Sequence, residues 1–219
     1  LPLRQAPRFP VTSGVGLLAF VVTAGWWMGR DVAAFTMGAR AWHGEPWRLV
    51  SSALPHVDFL HLAFNLYWLW IFGTALEDAY GWWKTLLLYV FFAVVSSAAE
   101  YAIFEGGVGL SGVGYGLCAF LVVVGRRDPR LRDVADRATI QLFAGWFVLC
   151  AVLTYMDVWK VGNVAHGAGA IAGLLFGEFV SARRRLARGI WVGSAVLLLV
   201  ASIAGASFAR PYVNFATSQ

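Results

Sequence analysis

The sequence predicts an all-α polytopic membrane protein of seven helical spans, and three observations carry that expectation. The chain is 59% hydrophobic and 13% charged over 219 residues, against about a quarter charged in an ordinary soluble domain. Its apolar residues fall into separated runs of a length that suits a bilayer core of about 30 Å. Its eleven Trp suit a chain with many helix ends at membrane interfaces, where indole rings concentrate.

Taken in order, the spans fall at about 11–28, 58–77, 84–104, 110–125, 138–157, 163–181 and 190–208. The first is followed by Gly29-Arg30-Asp31 with no small-residue cleavage pattern, so it is expected to stay as a helix rather than leave as a signal peptide. A long loop, 29–57, carries AWHGEPWRLVSSALPH. Its Trp42, Trp47 and Leu49 mixed with Arg40 and Arg48 read as an interfacial segment. The fourth span, bounded by Gly106-Gly107 and by Arg126-Arg127-Asp128-Pro129, is barely long enough to cross and is expected to begin below the membrane surface. Arg183-Arg184-Arg185 closes the sixth span as a basic stop signal.

Lys and Arg are unevenly shared between the two sides. With the N-terminus inside, twelve of the seventeen fall on that side, among them Arg126, Arg127, Arg130, Arg132 and Arg137, whereas Arg30, Arg40, Arg48, Lys160 and Arg210 fall on the other. The positive-inside rule therefore predicts a cytoplasmic N-terminus and an external C-terminus, and the expected location of this multi-pass chain is the plasma (inner) membrane. The same distribution argues against nucleic acid as a partner, because the net charge of +5 sits in short loops and not on one soluble face. Cys118 and Cys150 lie inside apolar runs without metal-like spacing and read as small core residues.

Polar side chains inside spans are costly in lipid and therefore informative. His61 and Asn65 stand four apart, on one face of the second span. Ser111 opens the fourth and His166 lies near the start of the sixth. The topology puts all four at a similar depth near the outer surface. A serine nucleophile needs a base, and at that depth His166 and His61 are the candidates. A developing oxyanion needs donors, which the Asn65 amide, the His61 ring and the Ser111 backbone N–H can supply. Gly112-xxx-Gly116 and Gly169-xxx-Gly173 are small-residue patterns that let helix backbones approach, which would bring Ser111 to His166. Tyr115, one turn after Ser111, is placed to pack on the imidazole.

Four motifs together, HxxxN (His61, Asn65), GLSG followed by Tyr (Gly109, Leu110, Ser111, Gly112, Tyr115), AHxxGxxxG (Ala165, His166, Gly169, Gly173) and the dipeptide Trp47-Arg48, resemble those of the rhomboid family of intramembrane serine proteases over about 11–182. The resemblance implies a six-helix catalytic core (1–182), followed by a segment (183–219) holding a basic loop, a seventh span and an external tail. It implies a Ser-His dyad with Ser111 as nucleophile and His166 as base, and an oxyanion site from His61, Asn65 and backbone amides. It further implies a transmembrane protein substrate met within the lipid bilayer, and no metal or organic cofactor. The seventh span and Gly167 after His166 depart from many relatives. The alternative from another class is a catalytically silent membrane chaperone or helix-binding protein, which would be expected to lack Ser111 or His166. A small-solute transporter would show two symmetry-related halves, and no such correspondence is visible.

Each residue also has a plainer reading. Ser111 alone would pass for a small-residue helix contact. His61 and Asn65 would pass for an interhelical pair. His56 reads as an organiser of the loop, since its five-residue step to His61 does not repeat on a helical face and no HExxH occurs. His43 reads as an exposed interfacial residue. Trp47 and Arg48 read as anchors of the outer loop, Glu77-Asp78 as a helix-end charge pair, and Glu100 as a carboxylate in an apolar run without an assigned partner.

Overall fold

The computed structural model describes residues 3–183 and 185–209. Arg184, Arg210 and the predicted external tail lie outside the described residues. Seven long helices follow in order: α1 (Pro10–Trp27), α2 (Phe59–Tyr80), α3 (Trp82–Ile103), α4 (Ser111–Val124), α5 (Arg137–Tyr155), α6 (Asn163–Ser181) and α7 (Arg185–Ala204). Each coincides with a predicted span to within a few residues.

Local chemistry sets several ends. Pro10 opens α1, where its missing N–H costs nothing. Asp58 accepts the His61 N–H at 2.8 Å to cap α2, and Asp136 accepts the Thr139 N–H at 2.8 Å to cap α5. Gly81, at φ +83°, is the single residue that turns the chain from α2 into α3. That left-handed backbone is one glycine adopts without a Cβ clash.

Among the described residues, six helices are long and apolar enough to cross a membrane, and α4 is the shorter exception. At 1.5 Å per residue its fourteen residues span roughly 21 Å, short of a core of about 30 Å. A helix of that length does not cross the core by itself. Ser111 is its first residue.

The centre of the bundle is built around this short helix. Leu117, Phe120 and Leu121 of α4 are almost fully buried, as are Phe92 and Val95 of α3 and Phe72 and Leu76 of α2. Helices α4 and α6 form the closest pair. A Cβ on Gly169 would overlap the Gly112 carbonyl, one on Gly173 would overlap that of Gly116, and one on Gly177 would lie 2.8 Å from the Val123 Cβ. The glycines of α4 make room elsewhere: a Cβ on Gly112 would fall 2.6 Å from that of Ser96, and one on Gly116 would enter the Phe92 ring, both on α3. Two small-residue patterns thus hold three helices together. Helix α7 packs on α6 and α3.

Candidate active site

Ser111 and His166 meet. The Ser111 Oγ lies 2.8 Å from His166 Nε2, and His166 is 2% exposed. For Nε2 to accept the Ser111 hydroxyl proton, the neutral ring carries its own proton on Nδ1, and this buried atom has no hydrogen-bond partner among the described residues. Where a triad would place a carboxylate against that nitrogen, the ring is held by packing. Tyr115 stacks on it with centroids 4.6 Å apart at 23°, and the Tyr115 hydroxyl donates to the Phe143 carbonyl of α5 at 2.9 Å.

The helix start supplies donors. Among the described residues no side chain caps α4, and its first helical bond runs from the Gly114 N–H to the Leu110 carbonyl. The N–H groups of Ser111, Gly112 and Val113 precede that bond, and such groups at a helix N-terminus favour negative charge. The preceding loop is fixed from the 52–56 turn. Gly109 N–H donates to the Ser52 carbonyl at 3.1 Å, and Leu110 N–H donates to His56 Nε2 at 3.2 Å. His56 Nδ1 donates to the Leu54 carbonyl at 2.9 Å, which leaves Nε2 as the acceptor only in the neutral ring. Burial, reinforced by the neighbouring His61, holds the His56 pKa down to about 3.

His61 sits against this loop. Its ring lies 4.8 Å from that of His56, edge to face. A Cβ on Gly109 would fall 2.6 Å from His61 Cε1, and the Gly109 backbone stands at φ +111°. Glycine is required there twice over, by conformation and by contact. Asn65 is buried, with one amide N–H donating to the His61 carbonyl at 2.8 Å. His61, Asn65 and the α4 N-terminus therefore belong to one neighbourhood.

Trp47 and Arg48 lie apart from it. Arg48 is 5% exposed, and its guanidinium donates to the carbonyls of Ala33 and Thr36 and pairs with Glu45. The Trp47 indole donates to the Ala34 carbonyl at 3.3 Å. Both staple the outer loop.

Two carboxylates have partners that sequence reasoning missed. Glu100, 4% exposed, accepts the Ala165 N–H at 2.8 Å and also that of Val164, so it caps the turn of α6 that carries His166. Glu77 is not half of a charge pair with Asp78. It accepts the N–H groups of Thr12 and Val11, at 2.6 and 3.2 Å, and caps α1, while Asp78 pairs with Arg8 at the surface. For Glu100 a carboxylate within an apolar run was the available signal. Its target, an N-terminal helix turn 65 residues away, was not.

Comparisons with known proteins bear on the family of the chain. The family model of the rhomboid domain matches residues 43–183, from the outer loop through the end of α6. The chain is 31% identical over 142 residues to the rhomboid protease GlpG of Haemophilus influenzae, covering 64% of this chain and 72% of that protein. It is 34% identical over 164 residues to rhomboid protease GlpG of an Enterobacter species, and 38% identical over 133 residues to that of Serratia proteamaculans. These alignments cover 68% and 59% of this chain, but only 56% and 46% of the two relatives. With the family model spanning most of the seven-helix bundle and its central helix pair, this chain belongs to the rhomboid family of membrane proteases.

Proposed function

We propose that the protein is an intramembrane serine protease that hydrolyses a peptide bond in or beside a transmembrane segment of another membrane protein, through a Ser111-His166 dyad. The observation that carries the reading is the 2.8 Å approach of Ser111 Oγ to His166 Nε2 at the start of a helix too short to cross the bilayer. In the first step Ser111 Oγ attacks the scissile carbonyl carbon while His166 Nε2 takes the hydroxyl proton. The tetrahedral intermediate collapses, the C–N bond breaks, and His166 passes its proton to the leaving amine. Water then attacks the acyl-enzyme, His166 takes a proton from it, and Ser111 leaves with that proton. The oxyanion is received by the Ser111 backbone N–H, the second amide N–H of Asn65 and the His61 ring.

Residues 1–182 form the catalytic core in this reading, with 183–219 appended. The arginine distribution supports an N-terminus in the cytoplasm and a dyad near the outer surface of the inner membrane. The test is cleavage of transmembrane reporter segments in liposomes. Wild type cleaves, Ser111→Ala does not, and Asn65→Ala is slowed by about a hundredfold or more, as for loss of one oxyanion donor. Cleavage by Ser111→Ala at the wild-type rate contradicts the proposal.

A further inference from the structure

The end of the bundle opposite Ser111 holds a feature that the dyad does not use. Where α2, α4 and α6 end and α7 begins, an open cavity of about 300 Å³ is walled by Arg127, Arg183 and Arg188, with Val124 and Val180 as apolar wall. Neighbouring charges are already matched. Asp128 in the same wall is taken up by Arg130 at 2.7 and 3.1 Å, and Arg126 faces Glu178 at 3.5 Å. Among the described residues no carboxylate pairs with Arg127, Arg183 or Arg188. Arg188 is aimed by a bond from Nε to the Ala182 carbonyl at 2.7 Å, which leaves its terminal N–H groups for a ligand. Tyr80 and Ser181 add hydroxyls to the wall.

Cations at helix C-termini offset the macrodipole, but that role asks for no cavity and no apolar wall. Both are present, and Val180 on the apolar wall is itself 44% exposed. Convergent guanidinium groups suit phosphate oxygens, and basic pockets between helices at this side of a bundle suit anionic headgroups. We propose that this cavity binds the headgroup phosphate of an anionic phospholipid, whose acyl chains leave past the apolar wall at the exposed Val180. The apolar wall of Val124 and Val180 beside the arginines favours a lipid over free phosphate.

The experiment is a native mass spectrometry titration of the full chain with phosphatidylglycerol and with phosphatidylcholine. Wild type retains one phosphatidylglycerol in preference to phosphatidylcholine. At about 1 kcal/mol per basic residue, Arg127→Gln/Arg183→Gln/Arg188→Gln loses about a hundredfold in that retention. Arg127→Gln/Arg183→Gln leaves the Arg188 bond to Ala182 intact, so it decides the matter should the triple variant unfold, and it loses about thirtyfold. The charge control Arg132→Gln/Arg137→Gln, outside the cavity, retains the lipid. The proposal is overturned by wild-type retention in the double variant, by equal binding of phosphatidylcholine, or by equal loss in the charge control. Displacement of the lipid by inorganic phosphate at matching concentration also overturns it, since the site would then take the free anion.

Discussion

Helices α4 and α5 are neighbours in sequence and opposites in packing. Ten of the fourteen residues of α4 are buried, against Phe143 and Cys150 alone in the nineteen of α5. The first carries Ser111 and is locked between α3 and α6 by glycine contacts. The second faces outward with Val148 and Val152, which are 60% and 47% exposed, and reaches the site mainly through Phe143, which touches Tyr115. The difference separates two tasks. Chemistry needs a nucleophile and base held to a few tenths of an ångström, and α4 with α6 provides that rigidity. In the proposed reading, admission of a substrate helix needs a wall that moves without loss of the core, and α5, with two buried residues of nineteen, has little buried surface to lose.

Substitutions grade this contrast. Gly173→Leu, which drives a side chain into the Gly116 carbonyl and the Ala119 Cβ, should unfold the α4–α6 pair at a cost of about 3 kcal/mol or more, seen as a collapse of thermal stability and of reporter cleavage together. Glu100→Ala removes the acceptor at the start of α6 and should cost about 1–3 kcal/mol. Cleavage should fall with it, while Glu100→Gln, which keeps a carbonyl oxygen for the Ala165 N–H, recovers most of both. Tyr115→Phe keeps the stacked ring and loses one hydrogen bond, worth about 1 kcal/mol, whereas Tyr115→Ala frees the imidazole and should lower kcat more than it raises KM. Val152→Ala on α5 should change stability by no more than about 0.5 kcal/mol. An effect there as large as that of Gly173→Leu would erase the distinction between the two helices.

Much of this arrangement was legible in the sequence. The short fourth span and the small-residue patterns are local features, and each pointed to a place where the structure puts it: α4 is the short helix, and Gly169 and Gly173 lie against α4 carbonyls. Other features depend on partners distant in the chain. Gly112 and Gly116 were legible as a close-approach pattern, yet their Cβ positions face Ser96 and Phe92 of α3, while the contact with α6 runs through their carbonyls. Periodicity gives a face but not the neighbour it meets. The hydrogen bond from Leu110 N–H to His56 crosses 54 residues and connects two loops, where no period exists to read. The docking of α7 on α6 and α3 was likewise open, because an apolar helix with little polar marking can pack on several faces of a bundle.

The measurement that bears most directly on the site is the rate at which a fluorophosphonate labels Ser111 in the purified protein. Activation by a neighbouring imidazole predicts labelling in wild type, none in Ser111→Ala, and a loss of at least about a hundredfold in His166→Ala. Labelling of His166→Ala at the wild-type rate, in protein with unchanged thermal stability, would contradict the dyad.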